Sequence, residues 1–364
     1  MLKIMHVVGT RPNFPKIAPI IAEMGRSSSL FEQMLVHTGQ HYDERMSAIF
    51  FRDLALPQPD IYLGVGSGTH AQQAANIMVA FENVVLAERP DWVVVVGDVN
   101  STMACALVCA KLGIKIAHVE AGLRSYDRTM PEEINRVVTD QLADLLFTPS
   151  PDAGANLLRE GIEPQRIHFV GNVMIDSLVV ALPLAARSTI LEQLNLKRCG
   201  YGLVTLHRPA NVDNAATFAS ILQVLNMIAR DLPLAFPIHP RTRKRIVEFG
   251  LDVHLDPGLH LVEPLGYLDF LQLTQHARLV LTDSGGLQEE TTFLGVPCLT
   301  LRPNTERPIT VEQGTNIVVG TEPHAIMEQA AKILGRPLPP KPTIARWDGL
   351  TAQRIVEVFV TSMN

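Results

Sequence analysis

The stretch Leu279-Val-Leu-Thr-Asp-Ser-Gly-Gly-Leu-Gln-Glu-Glu290 indicates how the second half of the chain folds. Its apolar start is typical of a buried strand, and Asp283-Ser284 is typical of a turn that caps a helix. Gly285-Gly286 would let a ligand approach the backbone closely. The free amides of the following helix would then bind phosphate oxygens, aided by the helix dipole. The sequence predicts an anion site here, with a purely structural glycine cap as the alternative.

Two carboxylates, Glu289 and Glu290, follow the glycines within the same predicted helix. Carboxylates are unfavourable beside a diphosphate, but they accept hydrogen bonds from the vicinal hydroxyls of a ribose. The pair therefore predicts that a nucleotide lies over this turn.

The length and the charge of the chain narrow the classes of protein to which it can belong. Its 364 residues exceed what one hydrophobic core usually holds, so we expect two domains. Hydrophobic residues make up 47% and charged residues 19%, which argues against a disordered chain. The net charge of −6 argues against a general nucleic-acid or acidic-membrane surface.

Cysteine usage and the amino terminus bear on the compartment. The cysteines lack zinc-type spacing and lie in apolar or helical surroundings, so we interpret them as small buried residues in a reducing cytoplasm: Cys105, Cys109, Cys199 and Cys298. The chain opens with a strand-like run instead of a signal peptide, and no apolar run reaches membrane-spanning length. The sequence predicts a soluble, cytoplasmic protein.

Short apolar strands alternate with amphipathic helices, which predicts an α/β fold with doubly wound parallel sheets. The strands predicted in the first half are Lys3 to Val8, Gln33 to Thr38, Trp92 to Gly97, Ile114 to Glu120 and Leu145 to Thr148. Those predicted in the second half are Tyr201 to Leu206, Leu234 to Ile238, Leu259 to Val262, Leu279 to Thr282, Pro297 to Leu301 and Ile317 to Val319. The continuously apolar run Trp92 to Val96 is typical of a central strand covered on both faces.

We place the domain boundary after Gly171-Asn172, which ends a strand and precedes a helical stretch. The prediction is an N-terminal Rossmann-like domain over 1–172 and a C-terminal one over 173–350, with the terminal helix 351–364 packing back on the first. Ligands of open parallel sheets bind beyond the carboxyl ends of the strands, so the loops there should hold the site.

Charged residues follow the predicted strands of the first half. Arg11, in Gly9-Thr10-Arg11-Pro12, and Lys16 suit phosphate, with two solvated cations as the alternative. Asp98 follows the Trp92 strand and is either a catalyst or a helix cap. Glu120 ends the next strand. Burying a carboxylate there is costly, so we expect Glu120 to have a functional role or an ion-pair partner.

Two acids, Glu132 and Glu133, lie in the first turn of a predicted helix. Acids at this position are favourable because they cap the helix, and this accounts for one of the two. In the second half His207 ends a strand, where an imidazole binds a diphosphate, moves a proton or is simply structural. The first domain carries the carboxylates, and the second carries the nucleotide-binding elements. Together they indicate acid–base catalysis on a sugar joined to a diphosphate. We find no metal cluster or nucleophile triad in the sequence, and the glycine run 64–68 lacks dinucleotide spacing, so no cofactor is expected.

These motifs, in this order, resemble the bacterial UDP-N-acetylglucosamine 2-epimerases of the non-hydrolysing type over nearly the whole chain. The resemblance is carried by Gly9-Thr10-Arg11-Pro12, Thr38-Gly39-Gln40-His41, Gly97-Asp98, His118-Val119-Glu120-Ala121-Gly122-Leu123-Arg124, Pro131-Glu132-Glu133 with Asn135-Arg136, Thr205-Leu206-His207-Arg208, Asp283-Ser284-Gly285-Gly286 with Gln288-Glu289-Glu290, and Glu306-Arg307-Pro308. It implies a GT-B fold of two Rossmann-like domains, with a UDP-sugar in the cleft between them, and a homodimer.

The resemblance also implies residue roles. The acid–base groups would be Asp98, Glu120, Glu132 and His207. The residues that bind the UDP-sugar would be Arg11, Lys16, Arg136, His207, Ser284, Gly285, Gly286, Glu290 and Arg307, with the uracil stacked near Tyr267 to Phe270. The family reaction removes UDP to give a 2-acetamidoglucal and adds it back after reprotonation at C2 on the opposite face.

The chain departs from the family pattern in three places. It has Asn13-Phe14-Pro15 after Gly-Thr-Arg-Pro, where many members carry Glu or a similar residue. It has Arg208-Pro209-Ala210-Asn211 where Arg-Arg-Glu-Asn is usual, which leaves a sister group acting on a 2,3-diacetamido uronic acid sugar as an alternative. Tyr42-Asp43 follows Gln40-His41, unlike the pattern of members activated by a second UDP-sugar. A GT-B glycosyltransferase, a hydrolysing 2-epimerase and a nucleotide-sugar-binding protein without catalysis are the remaining alternatives.

Overall fold

A computed structural model describes residues 1–40 and 50–363. The chain divides into two compact units: unit 1 is Met1–Val180 with Ala345–Asn364, and unit 2 is Ala181–Ile344. Each unit contains one parallel sheet with helices. Within the described part of the chain, no helix is both long enough and apolar enough to cross a membrane.

The sheet of unit 1 has seven strands in the order β3-β2-β1-β4-β5-β6-β7, and its pairings are parallel. The strands are β1 (Leu2–Val8), β2 (Phe31–His37), β3 (Ile61–Tyr62), β4 (Trp92–Val96), β5 (Lys115–Val119), β6 (Leu145–Thr148) and β7 (Ile167–Phe169). The described helices are α1 (Phe14–Gly25), α2 (His70–Glu88), α3 (Asn100–Leu112), α4 (Pro131–Leu142), α5 (Pro151–Arg159) and α6 (Val173–Ala185).

Unit 2 has a six-stranded parallel sheet in the order β10-β9-β8-β11-β12-β13. Its strands are β8 (Gly202–Thr205), β9 (Leu234–Pro237), β10 (Leu259–Val262), β11 (Leu279–Thr282), β12 (Cys298–Thr300) and β13 (Asn316–Val318). Its helices are α7 (Ile190–Gln193), α8 (Pro209–Val212), α9 (Ala215–Ala229), α10 (Pro240–Glu248), α11 (Tyr267–His276), α12 (Gly285–Leu294), α13 (Ile309–Glu312) and α14 (Pro323–Leu334), and the terminal helix α15 (Thr351–Thr361) belongs to unit 1. The predicted α/β class with two doubly wound parallel sheets is confirmed.

Strand β4 shows why both faces of the first sheet are covered. Val94 and Val96 pack into one hydrophobic core, whereas Val93 and Val95 pack into another. Successive side chains of a strand point to opposite faces, so a continuously apolar strand needs a core on each side. This places β4 in the middle of the sheet and its carboxyl end among the neighbouring loops.

The division between the units differs from the predicted boundary at 172/173, because helix α6 begins in unit 1. Ser177 Oγ donates to the Pro15 carbonyl at 2.5 Å, and Asp176 Oδ2 accepts from the Ala352 amide at 2.7 Å. These bonds fix the first turns of α6 to unit 1.

The terminal helix α15 packs on unit 1 through an aromatic cluster. The ring centroid of Phe359 lies 5.4 Å from that of Trp92 and 5.8 Å from that of Phe147. Since Phe359 is fully buried, the helix is part of the core of unit 1.

Candidate active site

The loops after β1 and β4 are tied together by the side chain of Asn13. Its Oδ1 accepts from the amides of Gly9 and Thr10, both at 3.0 Å, and its Nδ2 donates to the Val96 carbonyl at 3.0 Å. Arg11, half-buried, lies in the 3-10 turn between these bonds. The turn that carries this predicted phosphate ligand is therefore held by buried hydrogen bonds.

Lys16 and Glu120 form a buried ion pair at the ends of the strands. Lys16 Nζ lies 2.7 Å from Glu120 Oε2, and the two side chains are 6% and 4% exposed. Glu120 adopts a left-handed backbone with φ of 70°, which is unfavourable for a residue with a Cβ. At Gly97 an added Cβ would lie 2.9 Å from Lys16 Nζ, so the glycine makes room for the ammonium group. Glu120 thus has the ion-pair partner that its burial requires.

Asp98 is held by Arg136 of helix α4. Arg136 Nη1 donates to Asp98 Oδ2, and Arg136 Nη2 donates to Glu133 Oε2 at 2.6 Å. Asn135 Nδ2 donates to the backbone carbonyl of Asp98 at 2.9 Å. The Asp98 side chain remains 22% exposed, while Arg136 is buried. The carboxylate is therefore fixed in position but accessible.

The two acids that begin α4 have different surroundings. Glu133 is buried and accepts from the amide and the hydroxyl of Ser125, both at 2.9 Å, and from the amide of Tyr126 at 2.8 Å. Burial alone would raise the pKa of Glu133, but the bonds from Ser125, Arg136 and Tyr126 lower it below its ordinary value. Glu132 is half-buried. Glu133 is therefore the acid with a structural role, because its carboxylate holds the loop that precedes α4.

A buried pair of His118 and Asp140 links the same loops, and sequence reasoning missed it. His118 Nδ1 lies 2.6 Å from Asp140 Oδ1, and His118 Nε2 lies 2.8 Å from the Gly97 carbonyl oxygen. Asp140 Oδ2 accepts from the Gly122 amide at 3.1 Å and pairs with Arg124 Nη1 at 2.7 Å. Burial would raise the pKa of Asp140, but His118 and Arg124 lower it. The pair connects the loops after β4 and β5 to helix α4.

The motif around Gln40 is only partly described. Gln40 Oε1 accepts from the amide and the hydroxyl of Ser101, at 3.0 and 2.7 Å. The predicted pattern continues through His41 and Tyr42-Asp43, which lie outside the described residues.

In unit 2, helix α12 begins at Gly285 directly after β11 and its turn, as predicted. Ser284 is the N-cap, and its amide donates to Thr282 Oγ1 at 2.9 Å. At Gly285 an added Cβ would lie 2.5 Å from Arg307 Nη1, whereas Gly286 is half-buried. The side chains of Arg307 and Glu306 therefore pack closely against the first glycine, and a larger residue there would have to displace them.

Arg307 belongs to a buried cluster of charges. Its Nε lies 3.0 Å from Glu289 Oε1, and its Nη1 donates to Glu306. Arg302 Nη2 donates to the same Glu306 at 2.6 Å. Two carboxylates therefore neutralise two guanidinium groups beside the turn, and Glu289 is one of them.

Glu290, the other carboxylate of the helix, lies against Tyr267. The Tyr267 hydroxyl donates to Glu290 Oε1 at 3.2 Å, and both side chains are buried. Burial raises the pKa of Glu290 to about 7, with Glu289 adding to the rise and Tyr267 opposing it. Burial also raises the pKa of Tyr267 well above its ordinary value. Phe270, predicted near the uracil, packs partly buried against the core of unit 2.

His207 is paired with a fully buried carboxylate. Its Nδ1 lies 2.9 Å from Asp283 Oδ1, and its side chain is 51% exposed. Asp283 Oδ2 accepts from the Arg208 amide at 2.9 Å and from Asn211 Nδ2 at 3.1 Å. Burial would raise the pKa of Asp283, but His207 and the backbone amides lower it. The sequence predicts Asp283 only as a turn residue, because its partner His207 lies at the end of another strand.

Comparison with known proteins decides the family. The family model described as UDP-N-acetylglucosamine 2-epimerase matches residues 23–360. A UDP-N-acetylglucosamine 2-epimerase of Methanococcus maripaludis is 44% identical over 342 residues, which cover 92% of each chain. The chain belongs to the UDP-N-acetylglucosamine 2-epimerase family. As a member of this epimerase family it is an isomerase, and the resemblance identified from sequence is confirmed.

Two further relatives of this epimerase bear on fold and substrate. The crystal structure of the Methanocaldococcus jannaschii UDP-GlcNAc 2-epimerase in complex with UDP-GlcNAc and UDP matches with a TM-score of 0.93 at 44% identity. That match covers 99% of this chain and 100% of the other, which confirms the predicted GT-B fold class. A UDP-2,3-diacetamido-2,3-dideoxy-D-glucuronate 2-epimerase of Pseudomonas aeruginosa is 43% identical over 338 residues, covering 92% of this chain and 93% of the relative.

Within the described residues, no group of three or more His, Cys, Asp or Glu side chains is arranged to hold a metal ion.

Proposed function

We propose that the enzyme interconverts UDP-N-acetylglucosamine and UDP-N-acetylmannosamine. The observation that carries the proposal is the buried Lys16–Glu120 pair, with Glu120 in a left-handed backbone at a strand end. Strained residues persist only where the surrounding structure holds them, and they cluster at active sites. A carboxylate so held, near the fixed but accessible Asp98, suits proton transfer at a sugar carbon.

The reaction begins with an elimination. A base removes the proton from C2 while the bond from C1 to the β-phosphate oxygen breaks, and the electron pair leaves on UDP. The products in the site are a 2-acetamidoglucal and UDP. A proton then returns to C2 on the opposite face, and UDP adds back at C1, so that the atoms and charges balance without an external oxidant or reductant.

We assign the residue roles that the resemblance to the family implies. Asp98, Glu120 and Glu132 are the acid–base carboxylates, with His207 as a further catalytic group. Binding of the UDP-sugar falls to Arg11, Lys16, Arg136, His207, Ser284, Gly285, Gly286, Glu290 and Arg307, with Tyr267 and Phe270 nearest the uracil. The Gly286 amide lies in the first turn of α12, where the helix dipole favours a phosphate.

We propose that the enzyme works without a cofactor and as a dimer. It acts as a homodimer in the cytoplasm, and it needs no cofactor, because proton transfer and re-addition of UDP complete the reaction. Its partner is a small UDP-sugar, with no nucleic acid or membrane involved.

Product analysis tests the proposal against its alternatives. The enzyme is incubated with UDP-N-acetylglucosamine, and the nucleotide sugars are followed by phosphorus and proton NMR. The proposal expects UDP-N-acetylmannosamine as the product. Free N-acetylmannosamine with stoichiometric UDP would indicate a hydrolysing enzyme, and no reaction without an acceptor would indicate a glycosyltransferase or a binding protein.

A second substrate has a specific observation in its favour. The Pseudomonas aeruginosa relative, which acts on a diacetamido uronic acid sugar by name, is almost as similar to this chain as the Methanococcus maripaludis epimerase. Parallel assays with UDP-2,3-diacetamido-2,3-dideoxy-D-glucuronate compare the two substrates through kcat/KM. A higher kcat/KM for the diacetamido sugar would transfer the proposal to that substrate.

A further inference from the structure

The carboxylate of Asp283 meets two different kinds of hydrogen-bond donor. Oδ2 accepts from Arg208 N at 2.9 Å, from Asn211 Nδ2 at 3.1 Å and from His207 N at 3.1 Å. Oδ1 lies 2.9 Å from His207 Nδ1 and 3.2 Å from His207 N. Asp283 is completely buried, so its carboxylate is shielded from bulk solvent and is bonded by these protein groups.

We propose that Asp283 is a positioning residue that keeps the proton of His207 on Nδ1, so that Nε2 is the ring atom offered to the UDP-sugar. The inference rests on the catalytic role of His207 in the proposed function. A carboxylate oxygen only accepts, so Nδ1 must carry a hydrogen to bond with it. Nε2 lies on the opposite edge of the ring, and half of the side chain is exposed. Fixing one ring nitrogen through a buried carboxylate sets the role of the other.

The surroundings of Asp283 make Asp283→Asn a selective probe. Three donors surround the position of Oδ2, so the amide oxygen of Asn must occupy it to avoid a clash between donors. The amide nitrogen then faces His207 Nδ1 and donates to it. Nδ1 becomes an acceptor, and the proton of the neutral ring moves to Nε2.

The tautomer is measured directly by long-range proton–nitrogen NMR of protein labelled at histidine nitrogen. The signals of His207 are assigned by their loss in His207→Gln. The proposal expects the neutral ring of the wild-type protein to carry its proton on Nδ1, and the ring of Asp283→Asn to carry it on Nε2. A wild-type neutral ring protonated on Nε2 would overturn the proposal without any variant.

Kinetics test whether the positioning acts through His207. We expect Asp283→Asn to lower kcat by about 10²–10⁴-fold, with less change in KM. In the His207→Gln background the same substitution should cost little, because the ring on which it acts is gone. The control is Thr205→Val, which removes the 2.6 Å contact with Thr282 Oγ1 nearby and leaves the His207 ring unchanged.

Different results would refute the positioning role of Asp283 and the catalytic role of His207. An equal loss from Asp283→Asn in both backgrounds would mean that Asp283 only anchors the backbone, and the positioning role would be wrong. A His207→Gln variant with wild-type turnover would instead refute the role of His207 in the proposed function. The NMR measurement would then still decide whether Asp283 sets the tautomer.

Discussion

Lys16 Nζ lies 2.7 Å from Glu120 Oε2 inside unit 1, and both side chains are almost completely buried. The pair explains how a carboxylate is kept at the end of β5 in a backbone conformation that opposes it. It also means that Lys16 and Glu120 cannot be changed singly without leaving a buried charge.

We therefore expect Lys16→Met to destabilise unit 1 by about 3–5 kcal/mol, since it leaves the Glu120 carboxylate buried without its partner. The double variant Lys16→Met/Glu120→Gln should recover most of this loss while remaining inactive. Urea unfolding followed by tryptophan fluorescence reports on unit 1, because both tryptophans, Trp92 and Trp347, lie there. A single variant as stable as the wild-type protein would show that the pair contributes little.

Glu132 and Glu133 offer a matched pair of substitutions. Glu132→Gln should lower turnover by about 10²–10⁴-fold and leave stability nearly unchanged, as expected of a proton-transfer group. Glu133→Gln should lower stability by about 1–3 kcal/mol, because it weakens bonds from Ser125, Tyr126 and Arg136. Its loss of turnover should be the smaller one. If Glu133→Gln lowered kcat more and Glu132→Gln lowered the urea midpoint more, Glu133 would be the proton-transfer group and Glu132 the structural one.

Most of the fold was predictable from sequence, because short apolar strands alternate regularly with amphipathic helices. All six strands of unit 2 lie at the predicted places, as does β4 in unit 1. Strand β3, Ile61–Tyr62, was missed, since two residues carry no periodicity and its pairing with β2 depends on the neighbouring backbone.

The candidate site was predictable only where one motif contains the relevant chemistry. The turn at Ser284 and the carboxylate at Glu120 were identified from local sequence. Two other pairs in the site join residues from distant segments. Asp283 pairs with His207, and Asp140 pairs with His118. Such pairs depend on which strands are neighbours, and a single sequence does not contain that information.

The affinity for the UDP-sugar should fall as the pH drops below 7. Burial raises the pKa of Glu290 to about 7, and ribose hydroxyls bind the carboxylate form. At pH 6 the carboxyl group is mostly protonated, so we expect about tenfold weaker binding than at pH 8. Calorimetry with UDP-N-acetylglucosamine in the Asp98→Asn background avoids heat from turnover. Glu290→Gln should give a flat profile, and a flat wild-type profile would remove Glu290 from the nucleotide site.

The stability of unit 1 should fall between pH 6.5 and pH 4. His6 is fully buried, its Nε2 lies 2.9 Å from Gln33 Oε1, and burial lowers its pKa to about 4. In this window the unfolded chain binds a proton that the folded chain does not, so acid favours unfolding by up to about 3 kcal/mol. Urea midpoints across this range should fall less steeply in His6→Asn. Parallel curves for the two proteins would show that His6 titrates normally.

We propose that the enzyme removes and returns the proton at C2 of UDP-N-acetylglucosamine. The most direct measurement follows the sugar by NMR in deuterated water. It compares the wild-type protein with the double variant Lys16→Met/Glu120→Gln, which is the inactive control of similar stability. We expect the wild-type protein to place deuterium at C2 while UDP-N-acetylmannosamine appears, and the control to slow both processes together. Formation of UDP-N-acetylmannosamine with the original hydrogen retained at C2 would contradict the account.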